Sequence, residues 1–272
     1  FIKMGEEKAQ TEYRGRLAPT PSGYLHEGNI KTFQVAMQRA RDAQGKLFLR
    51  MDDLDSARCK QEYFDACVED LKSAGLCWEL PEIQETSGIY RQSYRTQFYE
   101  EVLQDLIKTE LIYPCNRTRN EIRKAGIKSH SGEEYLFPET WRGCYDNQTG
   151  DHNPIHQNWR IATNWGEQVT FRDERLGELN FEIGKDFSDF LVWRKDGIPA
   201  YEFATVVDDH LMGITEIVRG EDLLVSSGRQ CLLFDILKYT RPKFFHCSLS
   251  VGKDGTKLSK SSRIIPRFFP SR

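Results

Sequence analysis

The chain has 272 residues, 39% of them hydrophobic and 12% aromatic, which is material for one large α/β domain with an insertion or for two unequal domains. No long uncharged apolar run marks a membrane span, and Phe1 to Tyr13 mixes Lys3, Glu6, Glu7 and Lys8 with few apolar residues, so it reads as a frayed leader without the apolar centre of a signal peptide. A net charge of −3 argues against a uniformly basic surface for polyanions, and seven cysteines without paired spacing fit reduced thiols, hence a cytoplasmic chain, expected as a monomer.

The predicted elements alternate. Tyr13 to Leu17 reads as a strand running into a turn with Pro19, Pro21 and Gly23; Asn29 then caps a helix through Phe33, Met37 and Ala40 that stops at Gly45. Lys46 to Met51 is a second strand, running into Asp52, Asp53 and Asp55, and a helix carrying Phe64, Cys67, Val68 and Leu71 follows until Gly75. An amphipathic helix from about Tyr94 to Ile107 puts Phe98, Val102, Leu103, Leu106 and Ile107 on one stripe. Strands alternating with helices predict a doubly wound parallel sheet of Rossmann type.

From residue 114 to 185 the pattern gives way to Gly, Pro, Asn and charged residues, with a strand pair around Gln168 to Phe171 and Leu179 to Phe181; this is expected to be an inserted subdomain after a first half-domain at 1–113. The α/β signal returns over 186–245 as strands at Asp189 to Trp193, Ala204 to Val207 and Glu216 to Val218, then a helix capped by Ser226 or Ser227. Residues 246–272 carry a small basic loop. Two basic clusters, Arg117, Arg119, Arg123, Lys124 and Lys128, and Lys253, Lys257, Lys260, Arg263, Arg267 and Arg272, suit phosphate contacts or a solvated surface equally well.

Two strings carry chemistry. Arg16-Leu-Ala-Pro-Thr-Pro-Ser-Gly-Tyr-Leu-His26-Glu-Gly28-Asn29 lies between a strand and a helix start, where free N–H groups face an anion. There His26 can donate to a phosphate oxygen, Gly28 permits close backbone approach, and Arg16 can grip a carboxylate with two prongs. Gly255-Thr-Lys257-Leu-Ser259-Lys260-Ser261-Ser262 offers two ammonium groups to charge developing on a leaving pyrophosphate, Lys260 in the leading role.

Together these strings resemble the two signature motifs of class I aminoacyl-tRNA synthetases. RLAPTPSGYLHEGN is similar to the glutamyl branch and KLSKS to the family's ATP loop; RMDDLDSAR, AYEFATVVDDH and GITEIVRGEDLL extend the resemblance from about Arg14 to Ser262. The resemblance implies a glutamate site lined by Arg16, Leu17, Ala18, Pro19, Thr20, Tyr201 and Arg219, with Asp52 holding the α-ammonium where the family normally has Glu. It implies that His26, Gly28, Asn29 and Lys260 serve ATP, brought with Mg2+, and that His26, Lys257 and Lys260 are catalytic. Asn29 stands where the family's first motif has a second His.

The sequence runs ten residues past Ser262, so an anticodon-reading helical domain after the ATP loop is not expected. It therefore resembles most closely the short glutamyl-queuosine tRNA(Asp) synthetases, which activate glutamate without tRNA and attach it to queuosine in the tRNA(Asp) anticodon. A catalytic fragment of a glutamyl-tRNA synthetase acting on tRNA(Glu), or a synthetase-like binding module without catalysis, are the alternatives. The short family's four zinc positions fall on Cys115, Arg117, Phe137 and Trp141. One thiolate alone cannot build a tetrahedral zinc site, so no metal is expected and apolar packing is expected instead, although His130 and Cys144 lie near Cys115 in sequence.

Overall fold

The computed structural model describes residues 12–79, 89–132, 134–143 and 153–249; residues 1–11 and the KLSKS segment with Lys257 and Lys260 lie outside them. β1 (Arg14–Leu17) and β2 (Lys46–Met51) pair in parallel, Arg14 opposite Lys46, with α1 (Glu27–Asp42) crossing between them. After α2 (Gln61–Ser73), the two-residue β3 (Tyr90–Arg91) joins β2, also in parallel. A second crossover runs from β9 (Glu216–Gly220) through α6 (Leu224–Ile236) to the parallel β10 (Lys243–Cys247). The Thr215 N–H donates to the Arg14 carbonyl at 2.9 Å and brings β9 beside β1. The strands therefore follow one another as β3, β2, β1, β9, β10.

Alternation along these strands explains why both faces must be covered. On β2, Phe48 joins the core beneath α3 (Thr96–Ile107) and α5 (Tyr201–Leu211), while Leu47 and Leu49 join the core beneath α1 and α2; on β9, Ile217 and Val218 divide in the same way. The predicted doubly wound architecture is thus realised. Gly45 fixes the entry to β2: a Cβ there would lie 2.3 Å from the Tyr13 carbonyl oxygen, so only glycine admits the Lys46 N–H to that carbonyl at 2.8 Å.

The pair β6 (Gln168–Asp173) and β7 (Gly177–Glu182) is antiparallel, as expected, and also meets the main sheet through Asp173 opposite Phe244 of β10. β4 (Ile112–Pro114), β5 (Trp159–Ile161) and β8 (Leu191–Trp193) form a separate antiparallel sheet, preceding the short α4 (Arg119–Ala125) in the case of β4.

Four local expectations are corrected. Ala204 to Val207, read as a strand, lies in α5, because a short β-branched run buried on all sides has no period to separate helix from strand. His26, not Asn29, caps α1. α6 starts at Leu224 behind Leu223, and Ser227 instead donates its hydroxyl to the Leu223 carbonyl at 2.9 Å. α3 begins at Thr96 after a single 3₁₀ turn (Gln92–Tyr94) and buries Tyr99, Leu103 and Leu106, leaving Phe98 42% exposed beneath the Arg95 guanidinium. Among the described residues no helix is long and apolar enough to cross a membrane.

Candidate active site

A cleft of about 430 Å³ opens at the carboxyl ends of β1, β9 and β10, against the first turn of α1. It is the crevice that the parallel winding leaves where connections diverge to opposite faces. Arg16, Ala18, Pro19, Thr20, Tyr201 and Arg219 line it on the amino-acid side, and His26, Gly28 and Asn29 at the helix start. Leu17 does not line it: strand alternation turns its side chain between those of Arg16 and Ala18 into the core beneath α1, where it is fully buried.

Asp52 also stands back from the cleft. Its backbone N–H donates to the Pro19 carbonyl at 3.0 Å, and its carboxylate takes Arg50 Nε at 2.7 Å. Burial pushes the Asp52 carboxyl up to about 6, against the pull of Arg50. A buried ionic network links the Asp52 carboxylate to Arg16 and the cleft. Arg50 Nη1 donates to Asp209 Oδ1 at 2.6 Å, and Arg16 Nε donates to that same oxygen at 3.2 Å. Asp208 beside it accepts from Arg95 Nε at 2.7 Å, Tyr99 hydroxyl at 2.7 Å and Gln92 Nε2 at 2.8 Å. Sequence reasoning singled out AYEFATVVDDH only as a resemblance and missed Asp208 and Asp209 as the hub. Two adjacent acids at the end of an apolar helix, where burial demands partners, were the available signal.

Arg219 departs from this pattern. It is 4% exposed, yet its Nη2 donates to the amide oxygen of Gln230, while Nε and Nη1 have no partner among the described residues. Burial, then repulsion from Arg16, lowers its pKa, opposed by Tyr201 and Asp209. The guanidiniums of Arg16, Arg50 and Arg95 thus meet the carboxylates of Asp208, Asp209 and Asp52, and Asp222 adds a carboxylate to the cleft lining, whereas Arg219 in the cleft wall has no carboxylate hydrogen-bonded to it among the described residues. Tyr201, 39% exposed, holds its hydroxyl in the same buried surroundings, which raise its pKa.

At the helix start, His26 Nδ1 accepts from the Asn29 N–H at 3.3 Å and Asn29 Oδ1 accepts from the His26 N–H at 3.2 Å, a reciprocal capping box. With Nδ1 an acceptor, the neutral imidazole carries its proton on Nε2, the tautomer that donates to an anion. Asn29 is thereby engaged in shaping the turn.

The four expected zinc positions do come together, in a different chemistry. Cys115 packs with Ile122 and Phe137; the Phe137 and Trp141 rings meet edge to face at 5.7 Å, Arg117 lies over Trp141 at 4.8 Å, and Arg160 lies over Phe137 at 4.5 Å. One thiol, one guanidinium and two aromatic rings do not fit a zinc ion. His130 is exposed, and Cys144 lies outside the described residues.

Beneath the cleft, Asp173 Oδ2 accepts from the backbone N–H of His246 at 2.9 Å and lies 2.7 Å from its Nδ1, while His246 Nε2 lies 2.7 Å from the Ser227 hydroxyl. All three side chains are buried, so the chain of contacts ties α6 and β6 to the end of β10 rather than presenting a nucleophile.

Residues 12–265 match the family described as tRNA synthetases class I (E and Q), catalytic domain. The chain is 37% identical over 256 residues to a glutamate-tRNA ligase 2 of Syntrophus aciditrophicus, covering 92% of this chain and 52% of that protein. It is 37% identical over 250 residues to a glutamyl-Q tRNA(Asp) synthetase of Nitratidesulfovibrio vulgaris, covering 91% and 77% respectively. Among solved structures, a glutamate tRNA ligase from Elizabethkingia meningosepticum, in complex with its amino acid, superposes with a TM-score of 0.73 at 27% identity over 92% of this chain and 52% of its own. The chain thus spans about half the length of the glutamate-tRNA ligases it matches.

Proposed function

The chain belongs to the catalytic-domain family of class I tRNA synthetases of the E and Q group, and from that premise we propose that it activates L-glutamate with ATP and passes the glutamyl group to queuosine in the anticodon of tRNA(Asp). The observation that carries the first half is the buried, carboxylate-free Arg219 guanidinium in the wall of the cleft. Glutamate, with two carboxylates and one ammonium, offers this guanidinium the carboxylate that no described residue hydrogen-bonds to it.

In this reading Arg219 and Tyr201 receive one carboxylate, and Arg16 and the loop Ala18 to Thr20 position the other end of the amino acid. Asp52 acts on the α-ammonium at a distance, through Arg50 and Asp209, whose Oδ2 is a buried acceptor with no partner among the described residues. His26 Nε2 and the first turn of α1 hold phosphate, with Gly28 allowing close approach, and Lys257 and Lys260 stabilise the departing pyrophosphate. The glutamate carboxylate is already a nucleophile, so these residues work by placement and charge. Magnesium bound to ATP would shield the phosphate charges during this attack.

Likeness to the glutamyl-Q tRNA(Asp) synthetases supports queuosine as acceptor. Equal identity to a glutamate-tRNA ligase supports a second reading, transfer to the 3′ end of tRNA(Glu). Labelled glutamate and ATP incubated with tRNA(Asp) carrying or lacking queuosine, and with tRNA(Glu), decide between them. Label confined to queuosine-containing tRNA(Asp) is expected, and charging of tRNA(Glu) alone would reverse the choice. Arg219→Leu should raise the glutamate KM in pyrophosphate exchange by about 10²-fold or more, since a buried polar pocket then loses its matching charge.

A further inference from the structure

Gln230 is fully buried on α6 and does not line the cleft, yet it supplies the one hydrogen bond that Arg219 makes through its guanidinium among the described residues. Arginine has donors only, so the amide must turn its oxygen to Nη2, which leaves the Gln230 Nε2 as a further buried donor without a partner among the described residues. Three buried donor atoms without a partner among the described residues, Arg219 Nε and Nη1 and Gln230 Nε2, therefore lie side by side.

The contrast with neighbouring guanidiniums gives this pairing its meaning. Arg16 and Arg50 meet Asp209, Arg50 meets Asp52, and Arg95 meets Asp208. A carboxylate at position 230 would satisfy Arg219 as Asp208 satisfies Arg95. The sequence holds the isosteric amide there instead, which fixes the guanidinium's direction without cancelling its charge. The stretch of α6 that carries Gln230 is itself anchored: Ser227, one turn earlier, meets His246 and through it Asp173.

We propose that Gln230 is a positioning residue that sets amino-acid specificity, its neutral amide orienting Arg219 while reserving the positive charge for an acidic side chain. The inference rests on the glutamate reading of the cleft and adds to it the reason why glutamine is refused. An amide ligand would leave the Arg219 charge buried and unmet, whereas a carboxylate meets it.

The test compares the full chain with Gln230→Glu and Gln230→Met in ATP–pyrophosphate exchange and in calorimetric titration with L-glutamate and L-glutamine, with melting temperatures measured in parallel. Gln230→Glu is expected to raise the glutamate KM and Kd about 100-fold with kcat within about threefold, and to narrow or invert the preference over glutamine. Gln230→Met, neutral and of similar length, is expected to cost about tenfold in glutamate affinity and to keep the preference. Wild-type glutamate affinity in Gln230→Glu overturns the inference, as does an equal loss of both amino acids in both variants alongside a common fall in melting temperature. A wild-type chain that binds no glutamate at all overturns the glutamate reading and this inference together; one that binds glutamate without exchange still orders the variants by Kd.

Discussion

Asp208 gathers a guanidinium, a phenol and an amide into one buried carboxylate, and its partners lie 109 to 116 residues away in sequence. Replacing it with Asn leaves Arg95 uncompensated, a change expected to cost about 3–5 kcal/mol in urea denaturation; a midpoint close to wild type would show that the network relaxes around the loss. Separation in sequence also explains what was legible at this scale. Arg16, His26 and Gly28 could be read as an ordered string because one loop after one strand presents them all. Arg219 and Tyr201 entered through resemblance alone, and Gln230 went unnoticed, since nothing local in a helix tells which amide will meet a guanidinium eleven residues earlier. Asp52 was legible as an acid at a strand end; its retreat behind Arg50 depends on a side chain two positions back on the same strand face.

Elements follow from local chemistry where caps and period agree. At α1 the turn signals were visible, but the cap fell on His26 because its imidazole accepts from the N–H three residues on, as a Ser or Asp would. Asn29→Ala breaks one half of that box and should lower stability by about 1 kcal/mol, with a larger fractional loss in ATP affinity, because the same residues shape the phosphate end of the cleft; unchanged ATP binding would separate cap from site. α5 escaped the sequence reading because Thr205, Val206 and Val207 favour strands in isolation, and tertiary burial overrides that preference. The cluster of Cys115, Arg117, Phe137 and Trp141 gives a similar lesson, with an edge-to-face ring pair and a guanidinium over a ring at positions where the sequence resemblance implied metal ligands. Elemental analysis of protein purified without added zinc should find well under one equivalent per chain, and chelators should leave the melting curve unmoved. Trp141→Ala should cost about 2 kcal/mol and speed proteolysis within 112–161.

Across the whole molecule, the parallel order and its two cores were foreseeable from alternating strands and helices, whereas the junction of β6 with β10 was not, since it rests on one register contact between segments 71 residues apart. That junction is locked by His246, whose pKa burial pulls down from 6.5 to about 4, with Arg219 adding to the effect. The unfolded chain takes up this proton first, so the contribution is whole above pH 6.5 and is lost as pH falls towards 4, by up to about 3 kcal/mol. Asp52, raised to about 6, works in the opposite direction over part of that range. His246→Gln should therefore flatten or reverse the acid loss seen in wild-type melting temperatures between pH 6.5 and 4; an unchanged slope would assign the loss to other groups. The carboxylate-free Arg219 carries a last consequence. A protein that buries a guanidinium with two donor atoms unpaired among the described residues is incompletely folded in an energetic sense until an anion arrives, and its amino acid then acts as a detachable piece of the core. At a hundredfold excess over Kd, glutamate would raise apparent stability by about 2.7 kcal/mol, so heat resistance becomes a direct report of which amino acid the cleft accepts.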